Sequence, residues 1–108
     1  MIFNSLFGGN FNTQLKVARE TKGAVIVDVR TPMEFKQGHV EGARNIPLDA
    51  IGSIQKHIAD KEAPVYLYCA SGARSGSALR ELRRMGYTNV VNMGGIGTYS
   101  GPLARGNN

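Results

Sequence analysis

Two apolar runs restrict the folds that this chain can adopt. AVIVDV (Ala24–Val29) and PVYLYC (Pro64–Cys69) consist almost entirely of apolar residues, many of them β-branched or aromatic. Such runs are typical of strands buried on both faces, as in parallel sheets. NVVNM (Asn89–Met93) predicts a third strand, and ARNIP (Ala43–Pro47) predicts a short extended segment.

Helical patterns lie between these strands. NTQLKVARE predicts a first helix over residues 12–20 with Asn12 as its N-cap. TPME has the form of a capping box, in which Thr31 and Glu34 cap each other and Pro32 occupies the first helical position. This second helix is expected to end at Gly38.

Two further helices follow along the chain. DAIGSIQKHIA (49–59) places three isoleucines at helical spacing, and another helical pattern runs from Ser75 to a glycine stop at Gly86. Strands that alternate with helices predict an α/β fold with a mainly parallel sheet of four or five strands and helices on both faces. In such sheets ligands bind beyond the carboxyl ends of the strands. Cys69 lies at such an end.

Length and composition limit the remaining possibilities. A chain of 108 residues is expected to form one domain over 1–108, with an N-terminal extension over 1–11 and a frayed tail over 104–108. The net charge of +5 favours small anions, acidic proteins or nucleic acid, but the absence of tryptophan and of any known nucleic-acid motif argues against nucleic acid. No apolar run of about 18 residues or signal-peptide pattern is present, so we expect a cytoplasmic protein without a membrane partner.

The only cysteine of the chain lies where a strand passes into a helix. A free thiol with a pKa near ~8.5 is mostly protonated at neutral pH, so a nucleophilic cysteine needs groups that stabilise the thiolate. The loop CASGARS offers consecutive backbone N–H groups on small residues, the N-terminal end of a helix and the charge of an arginine. The alternative is a buried structural cysteine, which needs neither a cradle of small residues nor an arginine.

Three motifs of this chain resemble those of the rhodanese superfamily. CASGARS (Cys69–Ser75) resembles the active-site loop C-x-x-G-x-R-S of its single-domain members. DVRTPMEFKQGHVEGARNIPL (Asp28–Leu48) resembles a second signature of the family, and Gly94–Gly95 resemble its glycine pair after the last strand.

The resemblance implies a rhodanese-like fold and transfer of sulfane sulfur through a persulfide on Cys69. The donor would be thiosulfate or a similar small anion, the acceptor a thiol or cyanide, and neither a metal nor an organic cofactor would be needed. The loop would hold the substrate and the persulfide through Ala70, Ser71, Gly72, Ala73, Arg74 and Ser75. Asp28 and Arg30 would support the site by structural pairing with Glu34 or the loop.

Several alternatives remain open from the sequence. Arg74 either binds the anionic donor or holds the loop by pairing with a carboxylate. His39 is a possible general base, although its place in GHVEGA matches a family position that usually serves structure. The chain could instead be a persulfide carrier in a protein sulfur relay. A phosphatase-like oxyanion-binding protein is less favoured, because those enzymes place five residues between cysteine and arginine where this chain has four.

Overall fold

A four-stranded parallel sheet forms the centre of the protein, as shown by a computed structural model that describes residues 10–107. The strands are β1 (Val25–Asp28), β2 (His39–Val40), β3 (Arg44–Asn45), β4 (Val65–Cys69), β5 (Val90–Gly95) and β6 (Leu103–Ala104). The parallel sheet has the order β3-β1-β4-β5, and β2 pairs with β6 as a separate antiparallel ribbon. This arrangement confirms the predicted α/β fold with a mainly parallel sheet.

Side chains of the sheet alternate between two cores, because successive residues of a strand point to opposite faces. Along β4, Leu67 and Cys69 lie in one core, whereas Tyr66 and Tyr68 lie in the other. The first core is covered by a 3-10 helix (Leu48–Lys56) and by helix α3 (Ala73–Arg84), and the second is covered by helices α1 (Phe11–Glu20) and α2 (Pro32–Gln37). Helices therefore lie on both faces of the sheet, as predicted.

Helix α2 begins and ends where the sequence predicts. The Thr31 side chain accepts the Glu34 N–H, and the Glu34 carboxylate accepts the Thr31 N–H, so both halves of the capping box are formed. Pro32 occupies the start of the helix and Gly38 is its C-cap. This capping places Glu34 at the carboxyl end of β1.

The other helices differ in detail from the prediction. Helix α1 is capped by Asn10, which accepts the Thr13 N–H, whereas Asn12 lies inside the helix and bonds to Thr98 and Ser100. The segment predicted as a helix over 49–59 forms a 3-10 helix over Leu48–Lys56, in which Gly52 and the β-branched Ile51 and Ile54 are weak α-formers. The three isoleucines that the sequence places at helical spacing are all buried.

The two ends of the chain also differ from the prediction. Of the predicted N-terminal extension over 1–11, positions 1–9 lie outside the described residues. Phe11 does not belong to an extension, because it begins α1 and is buried. Instead of fraying from residue 104, the chain pairs Ala104 with His39 in the β2–β6 ribbon, and the Gly106 N–H donates to the Lys36 carbonyl. A local pattern could not reveal this pairing, because the two strands lie more than sixty positions apart.

Candidate active site

Cys69 is the last residue of β4, and its sulfur lies at the start of α3. The side chain is fully buried, at 0% exposure. Its Sγ accepts the Gly72 N–H at 3.0 Å, the Ser75 N–H at 3.3 Å and the Ser75 hydroxyl at 3.4 Å. Several donors therefore converge on one sulfur atom.

The sequence predicts that α3 begins near Ser75, but the helix begins at Ala73. The position of the sulfur explains this difference. The first N–H groups of a helix have no partner within the helix and are usually bonded by an N-cap side chain. Here the N-cap is Gly72, with φ of 102°, and it has no side chain to offer. Cys69 Sγ accepts the Ser75 N–H instead, so the sulfur serves as the cap of α3.

The hydrogen bonds to Sγ lower the pKa of the Cys69 thiol. Burial acts to raise the pKa of Cys69. The Ser75 hydroxyl, together with the N–H groups of Ser75, Gly72 and Ser71, outweighs burial and holds the pKa below the ordinary value of a thiol. The site therefore stabilises the thiolate, the nucleophilic form of cysteine, relative to a cysteine in water.

The glycine pair after β5 allows the loop to close over the sheet. Gly95 is the partner of Cys69 in the β4–β5 register. An ideal Cβ on Gly95 would lie 2.5 Å from the Ala70 carbonyl oxygen and 2.9 Å from Ser71 Cα, so no side chain fits between β5 and the loop. Next to the pair, a β-bulge shifts the register so that Leu67 faces Asn92 and Tyr68 faces Gly94.

Asn92 connects the bulge to the loop, and the sequence prediction missed it. Its Nδ2 donates to the Gly72 carbonyl at 3.2 Å, and its Oδ1 accepts the Gly94 N–H at 2.9 Å and the Ser75 hydroxyl at 2.7 Å. The only sequence signal was a polar residue inside the apolar run NVVNM.

The Arg74 guanidinium binds a carboxylate of the protein rather than facing solvent without a partner. Its two terminal nitrogens donate to the two carboxylate oxygens of Glu34, at 2.8 and 3.0 Å. Both side chains are about one third exposed, at 36% and 32%. The hydrogen bonds from Arg74 lower the pKa of Glu34 to about 2. Of the two roles left open by the sequence, this geometry favours holding the loop.

Asp28 and Arg30 pair with each other, not with Glu34 or the loop. The buried Asp28 carboxylate accepts the Arg30 N–H and both guanidinium nitrogens that face it. Arg30 also donates to the Gly38 carbonyl, and Asn45 donates to the carbonyls of both Asp28 and Arg30. The pair thus fixes the turn after β1, and this turn leads into α2, which places Glu34 beside Arg74.

His39 lies on the opposite face of the sheet from Cys69. It is fully buried and stacks on Phe35, with ring centroids 3.6 Å apart. Its Nδ1 lies 2.7 Å from the Phe35 carbonyl oxygen, which can only accept, so this nitrogen carries a proton. The geometry favours a structural histidine over a general base for Cys69.

The loop and a neighbouring cleft form the surroundings of the thiol. Ala70, Ser71 and Ala73 are exposed, so small side chains separate the sulfur from solvent. Beside the loop lies a cleft of about 430 Å³, lined by Val29, Thr31, Pro32, Pro47, Leu48, Asp49 and Arg74. Among residues 10–107, no group of three or more His, Cys, Asp or Glu side chains is placed to hold a metal ion.

Comparison with known proteins places this geometry in a family. Residues 11–100 match the model of the rhodanese-like domain. The chain belongs to the rhodanese-like family. This confirms the predicted resemblance.

Two relatives and one solved structure show how close the similarity is. The chain is 43% identical over 81 residues to the uncharacterised protein YqhL of Bacillus subtilis, covering 74% of this chain and 64% of that protein. It is 42% identical over 81 residues to the thiosulfate sulfurtransferase PspE of Escherichia coli, covering 74% and 78% respectively. A structure described as rhodanese with anions from E. coli superposes with a TM-score of 0.72 at 40% identity, over 77% of this chain and 99% of that one.

These comparisons confirm the enzyme type at the level of the family, because related rhodanese-like proteins carry the name thiosulfate sulfurtransferase. No helix within residues 10–107 is long and apolar enough to cross a membrane.

Proposed function

We propose that this rhodanese-like chain is a sulfurtransferase that carries sulfane sulfur as a persulfide on Cys69. The observation that carries the proposal is the convergence of the Gly72 N–H, the Ser75 N–H and the Ser75 hydroxyl on one sulfur. A cradle of this kind stabilises the attacking thiolate and, one bond further out, the anionic sulfur of a persulfide. The name of the E. coli relative supports thiosulfate as a donor.

The proposed cycle has two displacements at sulfur. The Cys69 thiolate attacks the outer sulfur of thiosulfate, the S–S bond of thiosulfate breaks, and its electron pair leaves with sulfite. The new persulfide carries its negative charge on the outer sulfur. A thiolate or cyanide then attacks that sulfur, forms a persulfide or thiocyanate, and returns the electron pair to Cys69. Neither step needs an external oxidant or a cofactor.

The small loop residues give the donor its route to the thiol. Cys69 is fully buried, so the donor sulfur has to enter from the side of the exposed Ser71 and Ala73. Their short side chains obstruct this approach less than larger side chains would. In this proposal Ala70 to Ser75 hold the donor and the persulfide through backbone N–H groups, and Asp28, Arg30 and Glu34 keep the loop in place.

Intact mass spectrometry tests the persulfide directly. After thiosulfate treatment we expect the protein to gain the mass of one sulfur atom and to lose it again with a reductant. Cys69→Ser is the matched variant, because a serine hydroxyl cannot form the persulfide, and circular dichroism checks its fold. A wild-type protein that gains no sulfur, or a folded Cys69→Ser protein that retains sulfur transfer, contradicts the proposal.

A role as persulfide carrier in a protein relay is the second candidate. Arg80 and Arg83 are exposed on α3, the helix that starts at the loop, and the chain has a net charge of +5. Such a surface suits an acidic partner protein. The discriminating measurement is turnover with thiosulfate relative to sulfur acceptance from a cysteine desulfurase, because a carrier accepts sulfur from the protein donor far faster.

A phosphatase-like oxyanion site is less well supported. In that chemistry the arginine binds the phosphate oxygens, but here both terminal nitrogens of Arg74 are bonded to Glu34. The four residues between Cys69 and Arg74 also make a tighter ring than the phosphatase loop. We therefore assign the cradle to sulfur.

A further inference from the structure

The Ser75 hydroxyl has more acceptors than it has protons. Ser75 is fully buried, and its Oγ lies 2.7 Å from Asn92 Oδ1, 3.2 Å from the Gly72 carbonyl oxygen and 3.4 Å from Cys69 Sγ. A hydroxyl donates one hydrogen bond at a time. Asn92 Oδ1, the Gly72 carbonyl oxygen and Cys69 Sγ therefore compete for the same proton.

The orientation of the Asn92 amide is fixed by its other partners. The Gly94 N–H can only donate, so the amide atom that it faces at 2.9 Å is the oxygen. The other amide atom lies 3.2 Å from the Gly72 carbonyl, which can only accept, so it is the nitrogen. Asn92 consequently presents an acceptor to Ser75, and the shortest contact of the hydroxyl goes to that acceptor.

We propose that the Ser75 hydroxyl is a two-position donor that bonds to Asn92 Oδ1 while Cys69 is a thiol or a persulfide, and turns to Sγ while Cys69 is a thiolate. Asn92 is then a positioning residue that acts on the sulfur through Ser75. The part of this proposal that concerns the persulfide rests on the proposed function, whereas the part that concerns thiol and thiolate does not.

The movement of charge during the proposed cycle explains why two positions are useful. In the thiolate the negative charge lies on Sγ, and a hydroxyl donor there is worth more than one to a neutral group. In the persulfide the charge lies on the outer sulfur, and Sγ becomes a neutral, weak acceptor. A buried hydroxyl without a partner is costly, so the Asn92 oxygen lowers the cost of leaving the thiolate state.

The charged groups around the thiol do not depend on this switch. The hydrogen bonds to Glu34 raise the pKa of Arg74, and the charges of Glu34, Cys69 and Asp28 act in the same direction. Glu34 is bonded to Arg74, and Arg30 is bonded to Asp28 at the end of β1. Substitutions at Ser75 and Asn92 therefore change the hydroxyl contact and leave these charges in place.

The rate of alkylation by iodoacetamide as a function of pH tests the proposal on the free thiol. Cys69 is the only cysteine of the chain, so the signal has one source. Asn92→Leu removes the nearest acceptor at similar volume. The hydroxyl is then left with the Gly72 carbonyl oxygen and Sγ, and the charged Sγ of the thiolate is the stronger acceptor of the two. We expect the midpoint of the alkylation profile to fall by about half a pH unit or more, since a hydrogen bond to a charged group is strong.

The same substitution in a Ser75→Ala background separates the switch from a merely structural role. Both backgrounds lose the contact of Asn92 with the Gly72 carbonyl, so the difference between them reports the hydroxyl. Without the hydroxyl, Asn92→Leu is not expected to lower the midpoint, while Ser75→Ala alone raises it. The exposed Asn89 on the preceding turn supplies the control, and Asn89→Ala should shift nothing. A rise of the midpoint in Asn92→Leu, or an equal fall with and without Ser75, overturns the proposal.

A second substitution carries the test if Asn92→Leu does not fold, as judged by thermal melting. Asn92→Asp keeps the acceptor and strengthens it with a charge, and in both backgrounds it loses the donor to the Gly72 carbonyl. It should hold the hydroxyl away from Sγ and raise the midpoint. That rise is expected to be smaller in the Ser75→Ala background. An equal rise in both backgrounds means that the charge alone acts, which contradicts a role through the hydroxyl. Alkylation needs no sulfur donor, so failure here is distinct from failure of the persulfide test.

Discussion

Gly95→Ala tests whether the close approach of β5 to the active loop determines the activity. Gly95 has φ of −101° and ψ of 134°, a backbone conformation that alanine adopts without strain. The cost of the substitution is therefore a collision and not a backbone effect. The new Cβ would lie 2.5 Å from the Ala70 carbonyl oxygen and 2.9 Å from Ser71 Cα, both of them backbone atoms of the loop.

The size of the expected effect follows from these distances. Contacts of a Cβ below 3.0 Å essentially do not occur, so the loop has to move by about 0.5 Å or more away from β5. A misplacement of about 1 Å in a catalytic site can cost a factor of about 100 in rate, so we expect sulfur transfer to fall at least about tenfold. Overpacking of this kind typically costs about 1–3 kcal/mol in stability.

Thiosulfate–cyanide turnover and thermal melting on the same samples provide the measurement. Gly97→Ala is the matched control, because an ideal Cβ at Gly97 meets no atom within 4 Å. We expect the control to transfer sulfur like the wild type. If folded Gly95→Ala transfers sulfur as fast as Gly97→Ala, then the contact between the glycine pair and the loop does not set the geometry of the site, and the reasoning fails.

Three further predictions concern the ion pair, the core and the loop length. Glu34→Gln should reduce the stability by less than about 1 kcal/mol at neutral pH because the pair is partly exposed. The pKa of Glu34 in the folded state is lowered to about 2, so the stability that the ion pair contributes is present above the unfolded-state pKa and is lost as the pH falls towards 2. The melting temperatures of Glu34→Gln and wild type should therefore converge over that pH range. Tyr87→Phe removes a buried hydrogen bond to a backbone carbonyl and should cost about 1 kcal/mol, measured by urea unfolding. A glycine inserted between Gly72 and Ala73 should reduce sulfur transfer at least about tenfold without weakening the binding of tungstate, measured by turnover and titration, and unchanged turnover would refute the role of loop length.

Patterns within short segments predicted most of the fold. The buried runs Val25–Asp28 and Val65–Cys69 became central strands, because a continuous apolar run can be satisfied only between two covered faces. The capping box of Thr31 formed as predicted, because its partners lie three residues apart. Both features depend only on residues that are close together in the sequence, so they can be predicted from it.

Contacts between distant segments were beyond such patterns. Glu34 was predicted as a helix cap, and it is one, but its carboxylate also binds Arg74 forty positions away. Asn92 was taken as part of a strand, and its role depends on a bulge that only the pairing with β4 reveals. The sequence predicted that Cys69 lies at the carboxyl end of a strand and that backbone N–H groups of the loop face its sulfur. It did not predict which N–H groups bond to the sulfur, or that the Ser75 and Asn92 side chains meet there.

The paired state of Arg74 changes the account of what stabilises the thiolate. From the sequence alone, a full arginine charge was expected to act on the sulfur. In the structure that charge faces the Glu34 carboxylate at 2.8 Å, and the opposite charge offsets part of its effect on Cys69. The main stabilisation comes from the neutral donors of Ser75, Gly72 and Ser71, which point at Sγ at short range. Neutral dipoles act only over a few ångströms, so the thiolate depends on the shape of the loop, and the shape depends on the glycine pair and on Asn92.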